Sequence, residues 1–309
     1  MRSEFTLPTS IRRGGLEENK RLDRLTYLLM VLPALLLMAA VAAIPYAYML
    51  YISLTRYNLV VPGSETFDGL TNYAKMVRDP DFLNSVWVQL QMSAGNVGLQ
   101  VIFGVGIAVL LNARLRGVGV VRAVIVVPIV IPPVLVGLLW VILFTPTISP
   151  INYAMTRVGL PNVAWLADPK FALPSVIWAA VWEMTPFVIV IVLAALQTLP
   201  QDVFDAAEID GASAAQTFRY LTLPMVRPAI FVAAVFRLIA SLKAFPLIYI
   251  MTGGGPGTLT EALGYYAYRK AFTYQQYGYG AAVATMTVVL SIFLTFLVTR
   301  LGAREVEVE

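Results

Sequence analysis

The sequence contains no cysteine and no histidine, and only 13% of its 309 residues are charged. These absences exclude disulfide bonds, thiol nucleophiles, zinc sites of the usual Cys/His kind and histidine-based proton or phosphoryl transfer. A soluble globular domain carries about 25% charged residues, so this chain has too little charge to cover a surface exposed to water. The net charge of +4 forms no basic stripe. We therefore expect no catalytic residue, no metal site and no nucleic-acid partner.

Long apolar stretches dominate instead, since 59% of the residues are hydrophobic. A helix needs about 20 mostly apolar residues to cross the hydrocarbon core of a membrane. Only helices and closed barrels satisfy the backbone polar groups in lipid, and these stretches are too long for barrel strands. The sequence therefore predicts an all-α integral membrane protein with six transmembrane helices, at about residues 26–50, 86–111, 123–144, 173–196, 229–251 and 280–301.

The distribution of Lys and Arg predicts the orientation of these helices. With the amino terminus inside, the inner segments hold more Lys and Arg than the outer ones, as the positive-inside rule requires. This places both termini, residues 1–25 and 302–309, and the loop at residues 200–227 in the cytoplasm. The first apolar run exceeds the roughly 7–15 residues of a signal-peptide core, so we expect this span to be retained.

Several residues within the spans are unusual for a membrane helix. We interpret Pro128, Pro132 and Pro133 as kinks in a third helix that is packed by its neighbours. An ionisable residue in a span is a functional candidate by default, and two hypotheses remain open for Glu183 and Lys243: an internal ion pair, or a role in a solute pocket. Arg237 is expected to snorkel to the interface. The polar residues of the second span, among them Gln89 and Asn96, predict interhelical hydrogen bonds.

The loop between the fourth and fifth spans contains signals for two short helices. Pro200 suits the start of a first helix, and Gly211 ends it. Ser213 can cap a second helix, which we expect to run to Leu223 and stop at Pro224. Because apolar residues are mixed with Asp and Glu in this loop, the pattern is typical of a surface that docks into a groove on another protein.

A specific motif lies within this loop. It reads Asp205-Ala206-Ala207, three residues, Gly211, nine residues, then Leu221-Thr-Leu-Pro224. This pattern resembles the Glu-Ala-Ala loop of binding-protein-dependent ABC importer permeases, with Asp in place of the opening Glu. The flanking segments 193–200, 243–256 and 277–282 resemble the carbohydrate-uptake branch, of the maltose and glycerol-phosphate type, and the first permease of the pair. Pro246 departs from the Asp of many relatives.

The resemblance implies a type I ABC importer transmembrane domain that forms half of a pathway for a sugar or related solute, in a bacterial or archaeal cytoplasmic membrane. The partners it implies are a second homologous permease, two copies of a cytoplasmic ATPase that binds ATP and Mg, and an extracytoplasmic solute-binding protein. This chain has no phosphate-binding loop of its own, so we expect no cofactor in it. The residues that the resemblance assigns to ATPase coupling are Asp205, Ala206, Ala207, Glu208, Asp210, Gly211, Ala212, Phe218, Leu223 and Pro224.

Candidates for the solute pathway come from the fourth and fifth spans, from which relatives build their pocket. Carbohydrates are gripped by aromatic rings and by hydrogen bonds to their hydroxyls, and these spans supply both kinds of group. The candidates are Trp178, Trp182, Glu183, Ser241, Lys243 and Tyr249.

Two other classes of protein are considered. A secondary carrier driven by an ion gradient is the main alternative, but such carriers often show internal repeats, and residues 26–144 show no convincing repeat in residues 173–301. A membrane-embedded enzyme is disfavoured because the spans hold only one central carboxylate and no histidine or cysteine.

Overall fold

The computed structural model describes the backbone of residues 9–113 and 117–306 and the side chains of residues 26–113 and 117–302. These ranges contain helices and no strand longer than an isolated bridge between Thr55 and Phe67, which confirms the all-α prediction. The helices are α1 Thr9–Ser53, α2 Thr71–Met76, α3 Pro80–Asn112, α4 Val118–Val130, α5 Pro133–Phe144, α6 Pro150–Arg157, α7 Ala172–Gln197, α8 Gln201–Ile209, α9 Ala214–Thr217, α10 Leu223–Ser241, α11 Pro246–Met251, α12 Leu263–Tyr268 and α13 Tyr277–Val306.

The chain divides into two compact units, Met1–Tyr51 and Ile52–Glu309. In the first unit, α1 begins at Thr9, and its apolar part, Thr26–Ser53, is long enough to cross a membrane. The second unit holds the remaining candidate spans: Pro80–Asn112, Ala172–Gln197, Ala214–Ser241, Tyr277–Gly302, and the bent pair α4 and α5. The last helix runs to Val306, past the predicted boundary at residue 302. Residues 1–8 and 307–309 of the predicted terminal segments lie outside the described residues.

The helices α3 and α7 form the central contact of the second unit. Glycines on α3 let the two backbones approach closely, as small residues do between membrane helices. Gly95 faces the side chain of Ile177, and Gly104 faces that of Val188 so closely that no Cβ would fit. Near the carboxyl end of both helices, Ala108 packs in a dry cluster that also holds Val226 and Ala233 of α10.

The contacts of this bundle define two ends. The carboxyl ends of α3 and α7 meet the start of α10 in one apolar cluster, and Gly302 of α13 approaches Phe231 there. Helix α8 follows α7 directly, so we name this the α8 end. The start of α3 packs against α12 and the start of α13 in another cluster that includes Phe82, Tyr266 and Val283. We name this opposite end the α12 end.

The third apolar stretch is two helices and not one kinked helix, so the interpretation of Pro132 and Pro133 was wrong. Helix α4 ends at Val130, α5 begins at Pro133, and their axes meet at 101°. The residue before a proline is pushed out of the helical region. Ile131 and Pro132 each precede a proline, and both are extended, with ψ of 129° and 138°. Two successive restrictions of this kind break the helix, whereas Pro128 alone is accommodated within α4.

The fifth apolar stretch also differs from its predicted bounds of 229–251. Helical structure continues from Ala214 to Ser241, and a non-helical segment then leads to the short helix α11. The expected stop at Pro224 was wrong, because Pro224 lies in the first turn of α10, where its missing N–H is tolerated. A π-helical turn at Phe218–Thr222 joins α9 to α10. Residues 242–245 form the break, and Phe245, with φ −131°, lies outside the helical region just before Pro246 begins α11.

The close approach of α3 and α7 gives a test of the fold. In a Gly104→Ala variant the new Cβ would lie 2.6 Å from Val188 Cβ and Cγ1. Such overpacking costs about 1–3 kcal/mol, so we expect the purified protein to unfold at a lower SDS concentration. The matched control is Gly106→Ala on the same helix, where the added Cβ meets nothing within 4 Å. This control should stabilise α3 by about 1 kcal/mol; equal midpoints for the two variants would contradict the packing.

Candidate functional site

The segment after α7 forms a tight helical hairpin, residues 200–218, at the α8 end. Helix α8 begins after Pro200, with Asp202 in its first turn near the positive end of the helix dipole. It ends in a Schellman motif: Gly211 N–H donates to Glu208 O at 3.1 Å, and Ala212 N–H donates to Ala207 O at 3.0 Å. Gly211 adopts φ +75°, a conformation that only glycine adopts at no cost. The glycine therefore fixes the bend.

The second arm of the hairpin begins with a capping box at Ser213. The Ser213 N–H donates to Gln216 Oε1 at 2.8 Å, and the Gln216 N–H donates to Ser213 Oγ at 3.4 Å. This confirms the predicted cap. Because α9, the π-helical turn and α10 are continuous, a displacement of the hairpin is transmitted along one helical rod into the bundle.

The hairpin presents mixed apolar and acidic side chains to the surface. No residue of α8 or α9 is buried. Ile209 is 87% exposed, and Tyr220, just beyond the hairpin, is 68% exposed. Of the ten residues that the sequence assigned to coupling, seven, from Asp205 to Ala212, lie in one arm and its bend, and Phe218 follows on the second arm. Leu223 and Pro224 lie apart from these, at the root of α10.

A second cluster is polar and lies inside the bundle. It is built from one face of α3, where Gln89, Ser93, Asn96 and Gln100 are all buried. Gln89 Nε2 donates to Ser241 O at 3.1 Å, and Asn96 Nδ2 donates to Ser241 Oγ at 3.2 Å. These contacts confirm the predicted interhelical hydrogen bonds of Gln89 and Asn96, and they bring the predicted residue Ser241 to the middle of α3.

Gln100 extends this cluster toward two further helices. Its Nε2 donates to Ala180 O on α7 at 3.0 Å, and its Oε1 accepts from Arg237 Nε on α10 at 2.8 Å. Arg237 is only 8% exposed, so it does not snorkel as expected. The cost of its burial is offset by this hydrogen bond and by the face of Phe187, 5.9 Å away.

The structure rejects one of the two hypotheses for Glu183. Its carboxylate is buried in the bundle, and the cation that interacts with it is Arg237. Lys243 is exposed in the break between α10 and α11, so the hypothesis of a Glu183–Lys243 ion pair was wrong. Among the described residues, Glu183 Oε1 has no hydrogen-bond partner, and neither have Gln89 Oε1 and Asn96 Oδ1. The cluster therefore offers unpaired acceptors.

The aromatic candidates lie at different places around this cluster. Trp182 is half-buried and meets the ring of Trp140 on α5 edge-on, with centroids 5.9 Å apart. Trp178 is 47% exposed and packs against Phe103 of α3. Tyr249 is 45% exposed and stacks on Phe245 at 5.4 Å. The structure brings Glu183 and Ser241 into one polar cluster, whereas these rings and Lys243 lie outside it.

The sequence interpretation missed Ser93 and Gln100 as members of the cluster. Their spacing with Gln89 and Asn96 is four, three and four residues, which places all four on one helical face. That pattern was available in the sequence. The sequence alone could not show that Arg237 pairs with Gln100, because this pairing depends on how α3 and α10 cross.

The α12 end carries a cavity of about 740 Å³ with several basic side chains in its lining, among them Arg56, Lys75, Arg78 and Lys270. Asp79 also lines it and accepts hydrogen bonds from Tyr266 and Tyr279 at 2.6 and 2.7 Å. Burial acts to raise the pKa of Asp79, but these hydrogen bonds outweigh it, so the pKa lies below its ordinary value. The described part of the chain holds no cluster of three or more Asp or Glu residues placed to hold a metal ion.

The segment between α11 and α12 is held by a buried ion pair. Glu261 is 1% exposed, and its Oε2 lies 2.7 Å from Arg269 Nη2. Burial raises the pKa of Glu261 to about 7, although the charge of Arg269 acts to lower it. Gly254, at φ +83°, approaches the Tyr265 ring so closely that a Cβ would lie 2.8 Å from it. These contacts fix α12 against the turn before it.

Comparison with known proteins identifies the relatives of this arrangement. Residues 100–306 match the family described as binding-protein-dependent transport system inner membrane component. A probable ABC transporter permease protein of Sinorhizobium fredii is 38% identical, over 94% of this chain and 95% of the relative. The trehalose/maltose transport system permease protein MalF of Thermococcus litoralis is 34% identical, over 89% of this chain and 92% of the relative. A sulfoquinovosyl glycerol transport system permease protein of Agrobacterium fabrum is 31% identical, over 90% of this chain and 91% of the relative.

The fold has a solved counterpart. A bacterial ABC transporter involved in the import of the acidic polysaccharide alginate matches with a TM-score of 0.81 and 21% identity, over 94% of this chain and 98% of that one. At this identity the match shows the fold, which is that of a type I ABC importer transmembrane domain.

The buried carboxyl of Glu261 predicts a pH dependence of stability. Because its folded-state pKa of about 7 lies above the ordinary glutamate pKa of 4.5, its contribution is fully present below pH 4.5 and is lost as the pH rises through 7. We expect the thermal unfolding midpoint to fall between pH 5 and pH 8, and to fall less in Glu261→Gln. Glu65→Gln, at an exposed site, is the control. An equal fall in wild type and Glu261→Gln would show that Glu261 does not titrate in this range.

Proposed function

The chain belongs to the family of binding-protein-dependent transport system inner membrane components, and from this premise we propose that it forms half of the translocation pathway of an ATP-driven carbohydrate importer. Several relatives along its length carry names that specify sugar uptake, including trehalose, maltose and sulfoquinovosyl glycerol. The observation that carries the proposal is the exposed hairpin, whose second arm continues into the bundle that holds the polar cluster. An ion-gradient carrier has no use for such a hairpin, and the family is one of binding-protein-dependent systems.

The hairpin is the surface on which we place a cytoplasmic ATPase subunit. Ile209 supplies an apolar anchor, and the exposed carboxylates of Asp205, Glu208 and Asp210 surround it. An exposed apolar group with a polar rim is typical of a protein interface. Closure of two ATPase subunits would move α8 and α9 as a lever, and the continuous helix from Ala214 to Ser241 would carry that movement into the bundle.

Charge at the α8 end supports its assignment to the cytoplasm. Arg122 lies near the start of α4, Arg219 lies in the π-helical turn that follows the hairpin, Arg227 lies near the start of α10, and Arg300 lies near the end of α13. The positive-inside rule places such residues in the cytoplasm. The α12 end then faces outward, where its cavity is available to an extracytoplasmic solute-binding protein.

The remaining subunits follow from what this chain lacks. It has no phosphate-binding loop in its sequence, so ATP and Mg belong to two copies of a separate ATPase. One permease supplies only one side of a pathway, and the exposed rings of Trp178 and Tyr249 are left for a second permease subunit or for the solute to cover.

The polar cluster is the part of the pathway that we assign to solute recognition. Its unpaired acceptors, Gln89 Oε1, Asn96 Oδ1 and Glu183 Oε1, match the hydroxyl donors of a sugar. A buried acceptor without a partner carries a desolvation cost, and a hydroxyl that reaches it would relieve this cost.

The hairpin assignment predicts the effect of a Gly211→Ala substitution. An alanine at φ +75° carries a strain of about 1–2 kcal/mol, which would distort the bend. We expect about a 5- to 30-fold weaker association with the ATPase, measured by co-purification from detergent-solubilised membranes. Gly159→Ala is the matched control, since Gly159 has φ +80° but lies at the α12 end. Retention of the full complex by Gly211→Ala would refute the assignment.

The pathway assignment predicts the effect of an Asn96→Leu substitution. The variant loses an unpaired acceptor and the hydrogen bond to Ser241, so we expect uptake of radiolabelled trehalose or maltose into reconstituted vesicles to fall about tenfold, equivalent to 1.4 kcal/mol. The ATPase should remain bound. Asn84→Leu, on the same helix but bonded to Thr258 outside the cluster, should transport normally. If neither sugar enters in the wild type, trehalose and maltose are not solutes of this importer.

A further inference from the structure

The outer part of the second unit contains a chain of aromatic rings that the polar cluster does not explain. It starts at Tyr249 on α11 and passes through Phe245, Tyr268, Phe272 and Tyr277 to Tyr57. The five successive centroid distances are 5.4, 5.2, 5.3, 5.6 and 5.4 Å. Tyr265 lies beside the chain, 6.2 Å from both Phe245 and Tyr249. We name these seven residues the aromatic ladder.

The two ends of the ladder lie at the outer cavity and, along the chain, next to the polar cluster. Tyr57 lines the cavity of about 740 Å³ at the α12 end. Phe245 lies in the break after Ser241 and Tyr249 lies on the short helix that follows, and Ser241 is the residue that Gln89 and Asn96 bind. The ladder therefore runs from the outer cavity to the segment that directly follows the polar cluster in the chain.

The rings of the ladder line a partly open surface. None of the seven is fully buried, and Phe272 is 59% exposed. Helix α12 contributes Tyr265 and Tyr268 to this surface, whereas its residues Leu263 and Tyr266 pack with Met76, Phe82 and Val283. Tyr265 also packs against the apolar cluster that includes Ile248 and Ala262, so the inner part of the ladder is anchored to the core and Phe272 stays open.

The chemistry of the ladder fits a sugar better than lipid or hydrocarbon. Five of its seven rings are tyrosines, which combine an apolar ring face with a hydroxyl at the edge. A pyranose ring has the complementary form, with a face of C–H groups and a rim of hydroxyls. A surface that contacts only acyl chains must satisfy its phenolic hydroxyls from within the protein, as Tyr268 and Tyr249 do for each other, whereas a sugar brings hydroxyl partners of its own.

We propose that the aromatic ladder is a second carbohydrate-binding site, a track on which a sugar stacks in transit from the outer cavity to the polar cluster. This inference rests on the proposed function of the chain. Each ring offers a weak and similar contact, so the sugar can pass from one to the next without being held at any of them. Neighbouring rings at 5.2–5.6 Å are close enough for one pyranose to meet two in succession.

The test measures contact between the ladder and a sugar directly. The importer complex in lipid nanodiscs, without its solute-binding protein, is mixed with trehalose, maltose or maltotriose, and the aromatic protons are saturated in a saturation-transfer NMR experiment. We expect transfer to the sugar C–H protons, reduced at least threefold in Phe245→Leu/Tyr268→Leu. The control is Tyr153→Leu, an exposed tyrosine at the same end that is outside the ladder, and its transfer should match the wild type.

A second measurement separates stacking from packing. Tyr268→Trp keeps an aromatic face, whereas Tyr268→Leu does not, and both keep an apolar side chain at the site. We expect the Trp variant to retain at least half of the wild-type uptake rate and the Leu variant to lose about tenfold in kcat/KM. Transport at the wild-type rate by the Leu variants, or unchanged saturation transfer, would overturn the proposed sugar-binding role of the ladder. Neither result would contradict the proposed importer function. An absence of uptake of every sugar by the wild type would instead refute the carbohydrate importer itself.

Discussion

The interaction on which the bundle depends is the pair of hydrogen bonds made by Gln100. Its amide nitrogen binds the backbone of α7 at Ala180, and its oxygen accepts from Arg237 of α10. A single buried amide thus joins three membrane helices whose apolar surfaces give little preference for one another, because lipid is as apolar as the helices are. The glycines of α3 allow this bond to form, since they bring α7 close enough along the same face.

The same constraint links structure to transport. Within a membrane, polar groups must find partners inside the protein, and Gln89, Asn96 and Glu183 keep one acceptor each without a protein partner. In the function that we propose, a solute supplies the missing partners of these acceptors. Ser241 and Arg237 of the cluster lie on the helix that continues from the hairpin, so under the same proposal a movement of the hairpin acts on the cluster.

Proline decides where the apolar stretches are interrupted. The pair Pro132–Pro133 turns the third stretch by 101°, and Pro246 separates α10 from α11. Both breaks place short helices, α5 and α11, in contact with each other, and Gly137 of α5 accommodates Ile250 of α11. Pro224 has the opposite outcome, because the π-helical turn before it widens the helix and lets the axis continue. The effect of a proline thus depends on whether the backbone of the neighbouring residues can remain helical around it.

The amino-acid sequence alone determined the membrane class, the helical fold, the family and the hairpin with its bend and cap. These follow from local chemistry: long apolar runs, a glycine that must adopt positive φ, and a serine with a glutamine three residues on. The tertiary structure decided which polar residues meet. Glu183 interacts with Arg237 and not with Lys243, and Gln100 joins three helices, because such pairings depend on the crossing of helices far apart in the chain. The aromatic ladder was hidden for the same reason, since its rings come from four separate segments that only the folded chain brings within 6 Å.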